Sequence, residues 1–296
     1  YRFGERLTTA DNFSTRRGRW ACEDRWVNAA PTRDVAPDEV DAFRTDGVVC
    51  LRGIIPVDAV AAMGEPVERV LAGPGVADLG ALAGGDGPKF AGGVDHWRDD
   101  ADFRAFACDS ALPAIAAALL QSDGIWLYED SVLVKEPGTP HRTEFHTDAG
   151  YFHVAGDQIC TFWVPLDAAS PATGAVEYVR GSHRWPADFR PNLFTTREPI
   201  PGTEGEDVPD VQADAELRAA LVTFSVEPGD VVVHHYRTLH GAPGNSSTAR
   251  RRAISVRYCG DDARYHPRPG APRKAHQEHV HDGDTLGSPD CPRVWP

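Results

Sequence analysis

The residues best equipped for chemistry lie in one short stretch, Thr143-Glu144-Phe145-His146-Thr147-Asp148. Side chains on an extended strand alternate faces with period two, so His146 and Asp148 project to the same side. An imidazole and a carboxylate so placed supply two corners of a 2-His-1-carboxylate facial triad, which grips Fe(II) on one face and leaves coordination positions open. Alone, His-x-Asp recurs by chance. Its weight comes from a later segment, where Glu227-Pro228-Gly229-Asp230 turns into Val231-Val232-Val233-His234-His235-Tyr236-Arg237-Thr238-Leu239-His240-Gly241. Three histidines compete there for the third corner. His240 precedes Gly241-Ala242-Pro243-Gly244-Asn245, where a strand ends and a ligand is reachable. His234 shares its parity if the strand is unbroken, and His235 faces away. Eleven residues past His240 comes Arg251, within Arg250-Arg251-Arg252. One arginine on a neighbouring strand suits a bidentate carboxylate contact; the other two read as a solvated strand edge.

The elements that must position these groups fall into two halves. Residues 1–36 mix aromatics and charges, among them Trp20 and Trp26, and read as an irregular N-terminal extension. Pro37-Asp38-Glu39 opens a helix to about Arg44, its acidic residues matching a helix N-terminus. Asp46-Gly47 turns into a short strand, Val48–Leu51, and a second helix spans about Val57 to Leu71. Residues 73–93 are Gly-rich and read as loop; helical patterns return at Ala101–Cys108 and Leu112–Leu120. From Ile125 onward short β-type runs dominate: 125–134, 144–153, 160–166, 175–179, 221–226, 230–236 and 253–258. Many short strands after a helical part indicate an α+β, mainly β chain: a jelly-roll core (double-stranded β-helix, cupin-like) with N-terminal helices packed on one side. The domain is drawn at 37–262, its core at about 125–260, followed by a C-terminal tail over 263–296. Thr196–Asp214, rich in Pro, Glu and Asp, is a long insertion, either a mobile lid or an inert surface loop.

Composition narrows the partners. The chain has 296 residues, 30 Lys+Arg against 44 Asp+Glu, and a formal net charge of −14. With no basic run, neither nucleic acid nor an anionic membrane surface is expected as a partner. The six cysteines show no C-x-x-C spacing and read as reduced thiols. No apolar run approaches about 18 residues, so no membrane-spanning helix is expected. The opening Tyr1-Arg2-Phe3-Gly4 lacks a Met and is not a secretory signal. Few lysines beside many Arg, Ala and Gly fit a GC-rich bacterial genome, and the expected setting is a bacterial cytoplasm.

A family resemblance rests on an ordered set of motifs: Lys135-Glu136-Pro137-Gly138, His146-Thr147-Asp148, Gly174-Ala175-Val176-Glu177-Tyr178-Val179-Arg180-Gly181-Ser182-His183, Pro228-Gly229-Asp230, His240-Gly241-x-x-x-Asn245 and Arg251-Arg252-Ala253-Ile254-Ser255. Over about residues 37–260 the chain resembles the phytanoyl-CoA dioxygenase (PhyH-like) family of Fe(II)/2-oxoglutarate-dependent oxygenases. The resemblance implies iron on His146, Asp148 and His240, and the 2-oxoglutarate C5 carboxylate on Arg251. It places Trp163 as an aromatic bordering the cosubstrate and Lys89 as an upstream lysine reaching it. Thr147 stands where many members have Gln. Asp148 is retained where related halogenases carry a small residue, which implies that halide is not transferred. The implied function is a dioxygenase using Fe(II), 2-oxoglutarate and O2 to hydroxylate an unactivated C–H of a small molecule, such as a natural-product intermediate. The namesake's CoA-thioester substrate is not carried over, because substrate-contacting positions vary widely in the family.

Other readings of the same residues remain. A zinc or manganese cupin-type hydrolase or isomerase would use the same triad without needing Arg251, and a catalytically silent jelly-roll binding protein is the third alternative. His183 is read as stabilising a turn. The His276-Gln277-Glu278-His279-Val280-His281 tail is read as a flexible or surface segment despite its ligand types. Glu129, Ser131 and Leu133 share a strand face with Lys135; of these Glu129, with Tyr151, is put forward as a substrate contact. A monomer or a homodimer is expected.

Overall fold

The computed structural model describes residues 30–82 and 84–296. The extension expected over 1–36 therefore lies largely outside the described residues, as does Cys22. Eight helices are described: α1 (Pro37–Asp46), α2 (Val57–Ala62), α3 (Gly64–Leu71), α4 (Leu79–Leu82), α5 (His96–Asp99), α6 (Ala101–Asp109), α7 (Leu112–Leu120) and α8 (Ala215–Ala219). The strands begin with β1 (Val48–Leu51), β2 (Ala77–Asp78), β3 (Phe90–Val94), β4 (Ile125–Lys135), β5 (Thr143–His146), β6 (Val154–Ala155) and β7 (Ile159–Pro165). They continue with β8 (Glu177–Val179), β9 (Leu221–Thr223), β10 (Val231–His235), β11 (His240–Ala242), β12 (Arg251–Cys259), β13 (Arg264–Tyr265) and β14 (Arg293–Trp295).

Two antiparallel sheets make the jelly roll. The larger runs β1-β10-β7-β12-β4-β3-β2, with β14 added on β4; the smaller runs β5-β11-β8-β9. Alternation along β7 and β12 sorts side chains between two environments. Phe162, Val164, Ile254 and Val256 face outward into an apolar cluster with Phe103, Phe106, Leu112 and Ile115 of α6 and α7. Fully burying one such side chain contributes roughly 1.5–3 kcal/mol, so this face fastens the helices to the sheet. The opposite parity, Thr161, Trp163, Arg251 and Ser255, turns toward the smaller sheet and lines a cleft.

The turn after α1 is tied to the site. Pro37 starts that helix at a position where its missing N–H costs nothing, and the Glu39 carboxylate accepts from the Ala36 N–H at 2.9 Å. Gly47 ends it at φ 76°, in the left-handed region. A Cβ there would lie 2.3 Å from His183 Nδ1 and 2.6 Å from Thr238 Oγ1, so only glycine fits. The Gly47 carbonyl accepts from Thr238 Oγ1 at 2.7 Å, steadying the loop that leads to His240.

Several expectations need correction. The helix expected over 57–71 is two, broken at Met63, because Gly64 and Pro66 disfavour continuation there. The stretch expected as loop over 73–93 contains α4, β2 and most of β3, whose Phe90–Val94 pairs with Ser131–Lys135 of β4. The run expected over 144–153 stops at His146, and Asp148–Gly150 forms a 3-10 turn. His234 and His240 do not share a strand, since β10 ends at His235 and β11 starts at His240 in the other sheet. The stretch 101–120 is apolar enough to qualify as a membrane span by length and mean hydropathy (1.5), contrary to expectation. It is nevertheless two helices, 67% buried, on the back of the large sheet.

Within residues 276–281, read as a flexible or surface segment, Glu278, His279 and His281 are exposed and only Gln277 is buried. Further along, the tail carries β14, which pairs with β4, and buries Cys291. The 196–214 insertion packs Val211 against Phe145, Val179 and Leu239 on the outside of the small sheet. The five described cysteines are all unpaired.

Candidate metal and cosubstrate site

His146 ends β5 and His240 starts β11; the two strands are antiparallel neighbours and the two residues sit opposite each other. Their ring centroids are 4.3 Å apart. Asp148 reaches the same point from the 3-10 turn, with Oδ1 3.9 Å from Nε2 of each histidine. One ligand atom from each of the three lies within 4.8 Å of the others, and all three residues are buried. This is the geometry of a metal centre closed on one face by protein.

Hydrogen bonds set which atoms face the centre. Nδ1 of His146 lies 2.7 Å from the Glu144 carbonyl, and Nδ1 of His240 lies 2.9 Å from the Thr238 carbonyl. A carbonyl only accepts, so each Nδ1 carries the proton and each Nε2 presents a lone pair. Burial, with the neighbouring histidine as second cause, pushes the His146 pKa down to about 3; burial and His234 push His240 down to about 4. Both rings are therefore neutral at pH 7 and ready to ligate. Burial alone would raise the Asp148 pKa, but the His234 hydrogen bond and the surrounding imidazoles outweigh it and hold the carboxyl well below its usual range.

Asp148 presents one oxygen only. Its Oδ2 accepts from the Thr161 hydroxyl at 2.5 Å and from His234 Nε2 at 3.3 Å, which leaves Oδ1 free. His234 therefore meets the far oxygen of Asp148, while the cluster of three ligand atoms is formed by His146, Asp148 and His240. His235 lies on the other side, bonding the Asp157 carbonyl at 3.1 Å, and His183 bonds the Arg44 carbonyl at 3.1 Å. The neutral imidazole and ionised carboxylate donors fit a divalent iron ion.

Arg251 stands across the same cleft. It is 2% exposed, packs over Trp163 with its guanidinium carbon 5.6 Å from the ring centroid, and makes no hydrogen bond or ion pair among the described residues. Burial depresses its pKa to about 10, so it remains a cation at pH 7. Its neighbours face outward, as alternation requires. Arg252 pairs with Asp167 at 2.7 Å, and Arg250 with Glu68 at 2.7 Å and Glu136 at 2.9 Å. A buried, uncompensated guanidinium is costly unless an anion meets it, and the cleft it shares with the triad is where that anion would sit.

The remaining sequence-derived candidates divide. Trp163 lines the cleft. Lys89 does not: it is exposed, just before β3, and is not among the residues that line the cleft. The lysine beside Arg251 is Lys135, its register partner on β4, wholly buried and donating to the carbonyls of Ala242 and Pro243. Glu129 and Tyr151 line a second, larger cavity that meets the cleft at Asp148. Thr161, Tyr178, Ser255 and Arg257 also line the cleft, although none of them is among the site residues expected from the sequence. The parity that singles out Trp163 and Arg251 would have found three of them.

Comparison with known proteins follows the same lines. Residues 43–253 match the family model described as phytanoyl-CoA dioxygenase (PhyH). A probable alpha-ketoglutarate-dependent hypophosphite dioxygenase of Stutzerimonas stutzeri is 30% identical over 153 residues, covering 48% of this chain and 47% of that protein. That alignment spans about half the length of the relative. The ectoine dioxygenase of Sphingopyxis alaskensis is 25% identical over 236 residues, covering 74% of this chain and 73% of the relative. Among solved structures, the non-heme alpha ketoglutarate dependent carbocyclase SnoK from nogalamycin biosynthesis shares the fold at a TM-score of 0.72 and 24% identity, over 90% of this chain and 99% of that one.

Proposed function

The chain belongs to the phytanoyl-CoA dioxygenase family, and from that premise we propose that it is an Fe(II)- and 2-oxoglutarate-dependent dioxygenase acting on a C–H bond of a small molecule. The observation that carries the reading is Arg251, a buried cation without an acceptor among the described residues, facing the same cleft as the triad. A metal-dependent hydrolase or isomerase would need the triad alone; a dicarboxylate cosubstrate needs both.

His146, Asp148 and His240 would hold the iron, which would supply O2 activation: one oxygen atom would go into succinate as 2-oxoglutarate loses CO2, and the other into the substrate C–H. Each protein group then has a defined task. Arg251 pairs with the remote carboxylate of the cosubstrate and so fixes its distance from the triad. Trp163 walls the cleft beneath that pair, and Lys135 Nζ braces the carbonyls of Ala242 and Pro243 behind it. Thr161 and His234 keep Asp148 turned so that a single oxygen faces the centre, leaving room on the open face. Glu129 and Tyr151 belong to the substrate side of the site.

The reading is tested by mass spectrometry of 2-oxoglutarate turnover under ¹⁸O2. Protein loaded with Fe(II) should form succinate carrying one labelled oxygen, and protein loaded with Zn(II) should form none. Absence of labelled succinate from the Fe(II) form would contradict it.

A further inference from the structure

The larger cavity has a volume of about 710 Å³ and touches the triad at Asp148. That size is typical of small-molecule sites. Its outer wall is the Pro272–Glu278 segment of the tail, which lies beyond the family match ending at residue 253. The wall is fastened rather than loosely laid. Lys274 Nζ sits 2.8 Å from Asp95 and 2.7 Å from Glu129, Gln277 Nε2 donates to the Tyr128 hydroxyl at 3.0 Å, and His153 Nε2 donates to the Pro272 carbonyl at 3.0 Å. Iron and cosubstrate groups thus come from within the family match, whereas this wall comes from the segment beyond it.

The chemistry of the lining identifies what it accepts. Tyr128, Tyr151, Phe152 and Phe194 give it aromatic walls. Phe194 holds φ 67°, a conformation disfavoured for any residue but glycine, and places its ring 5.2 Å from that of His146. The charged groups are unequally committed. Lys274 is saturated by its two carboxylates, and Glu129 is held between Lys274 and Arg257. Arg257 spends Nη1 on Ser131 Oγ at 2.6 Å and stands 3.6 Å from Glu129, but its buried Nε has no partner among the described residues. It lines both the cleft and the cavity. Arg273 is exposed at the cavity edge with no acceptor among the described residues.

We infer that this cavity is the primary-substrate site, that it takes a ring compound bearing an anionic oxygen, and that Arg257 binds that oxygen beside the metal centre. The inference rests on the oxygenase reading, which supplies the metal and the cosubstrate. Rings stack against the aromatic walls, and the unspent donors of Arg257 orient the anion. The tail segment closes the outer side and sets the size accepted.

Two probes of equal shape and opposite charge test this, 2-naphthoate and 2-naphthylmethylammonium. Each is titrated anaerobically into protein loaded with Fe(II) and 2-oxoglutarate, and the perturbation of the iron-to-cosubstrate charge-transfer band is followed. Naphthoate should bind at least about tenfold tighter than the ammonium. Arg257→Gln should weaken naphthoate by about tenfold or more while 2-oxoglutarate affinity stays within about twofold, and Arg257→Lys should recover part of the loss. Equal binding of the two probes, no perturbation by either, or unchanged naphthoate binding in Arg257→Gln would overturn the inference. So would loss of 2-oxoglutarate rather than naphthoate affinity, which would assign Arg257 to the cosubstrate. Failure of the band to form at all in the wild type would instead overturn the oxygenase reading. Formation of the band in both variants shows that each is folded.

Discussion

Replacing Arg251 should separate folding from cosubstrate binding in an unusual direction. The guanidinium is buried without an acceptor among the described residues, and burial lowers its pKa from 12.5 to about 10. At about 1.36 kcal/mol per pKa unit, keeping it charged costs the empty fold on the order of 3 kcal/mol. Arg251→Met keeps most of the volume and removes the charge, so the thermal midpoint without cosubstrate should hold or rise by a few degrees, at roughly 2–4 °C per kcal/mol for a domain of this size. Binding should move the other way. A charge-assisted bidentate pair contributes about 1.5–3 kcal/mol, and the carboxylate left facing an apolar wall adds to the loss. Affinity for 2-oxoglutarate should therefore fall by at least about tenfold and by about a hundredfold at the upper end. Arg251→Lys should restore only part, because a point charge cannot form the planar fork. Differential scanning fluorimetry and anaerobic calorimetry read the two effects. A midpoint several degrees lower with 2-oxoglutarate affinity within about twofold of wild type would show Arg251 to be a structural group.

His146→Ala, Asp148→Ala and His240→Ala should each abolish stoichiometric Fe(II) binding, measured by equilibrium dialysis with metal analysis, while the far-ultraviolet circular dichroism is retained; iron held by any of them at wild-type affinity would exclude that residue as a ligand. Thr161→Val should weaken Fe(II) by about 10–100-fold, the usual scale for a group that orients a ligand, and Thr161→Ser should restore it, since only the hydroxyl bond to Asp148 Oδ2 is at issue. Acid should destabilise the metal-free protein. His235 and His146 have folded pKa values of about 3 and His240 of about 4, all lowered by burial from 6.5. The unfolded chain therefore binds more protons between pH 6.5 and about 4, and stability must fall as pH falls through that window. Equal urea midpoints at pH 7 and pH 5 would contradict this.

The triad and Arg251 were legible in the sequence because few residue types and one periodicity specify them. Even so, Asp148 reaches the centre from a 3-10 turn and not from the strand face that singled it out. Parity thus points to two residues that the structure does bring together, by way of a backbone that does not extend that far. Arg251 is the better case, since Arg250 and Arg252 do point outward to carboxylates. What could not be read was set by distant partners. The tail looks loose in composition, yet Lys274 is held by Asp95 and Glu129, far away in the chain. Lys89 and Lys135 are alike as residue types; only the register of β4 against β12 shows which one lies beside Arg251. Phe90–Val94 was hidden among glycines that a covered strand next to β4 tolerates.

The most direct test of the proposed activity is an anaerobic optical titration of the metal-free protein, first with Fe(II) and then with 2-oxoglutarate. A visible charge-transfer band should appear only after both are added and saturate at about one equivalent of each, as one triad facing one arginine requires. The band should be lost in Asp148→Ala and require much higher 2-oxoglutarate in Arg251→Met. Stoichiometric Fe(II) binding with no band at any 2-oxoglutarate concentration would contradict the assignment and leave a metal centre of another chemistry.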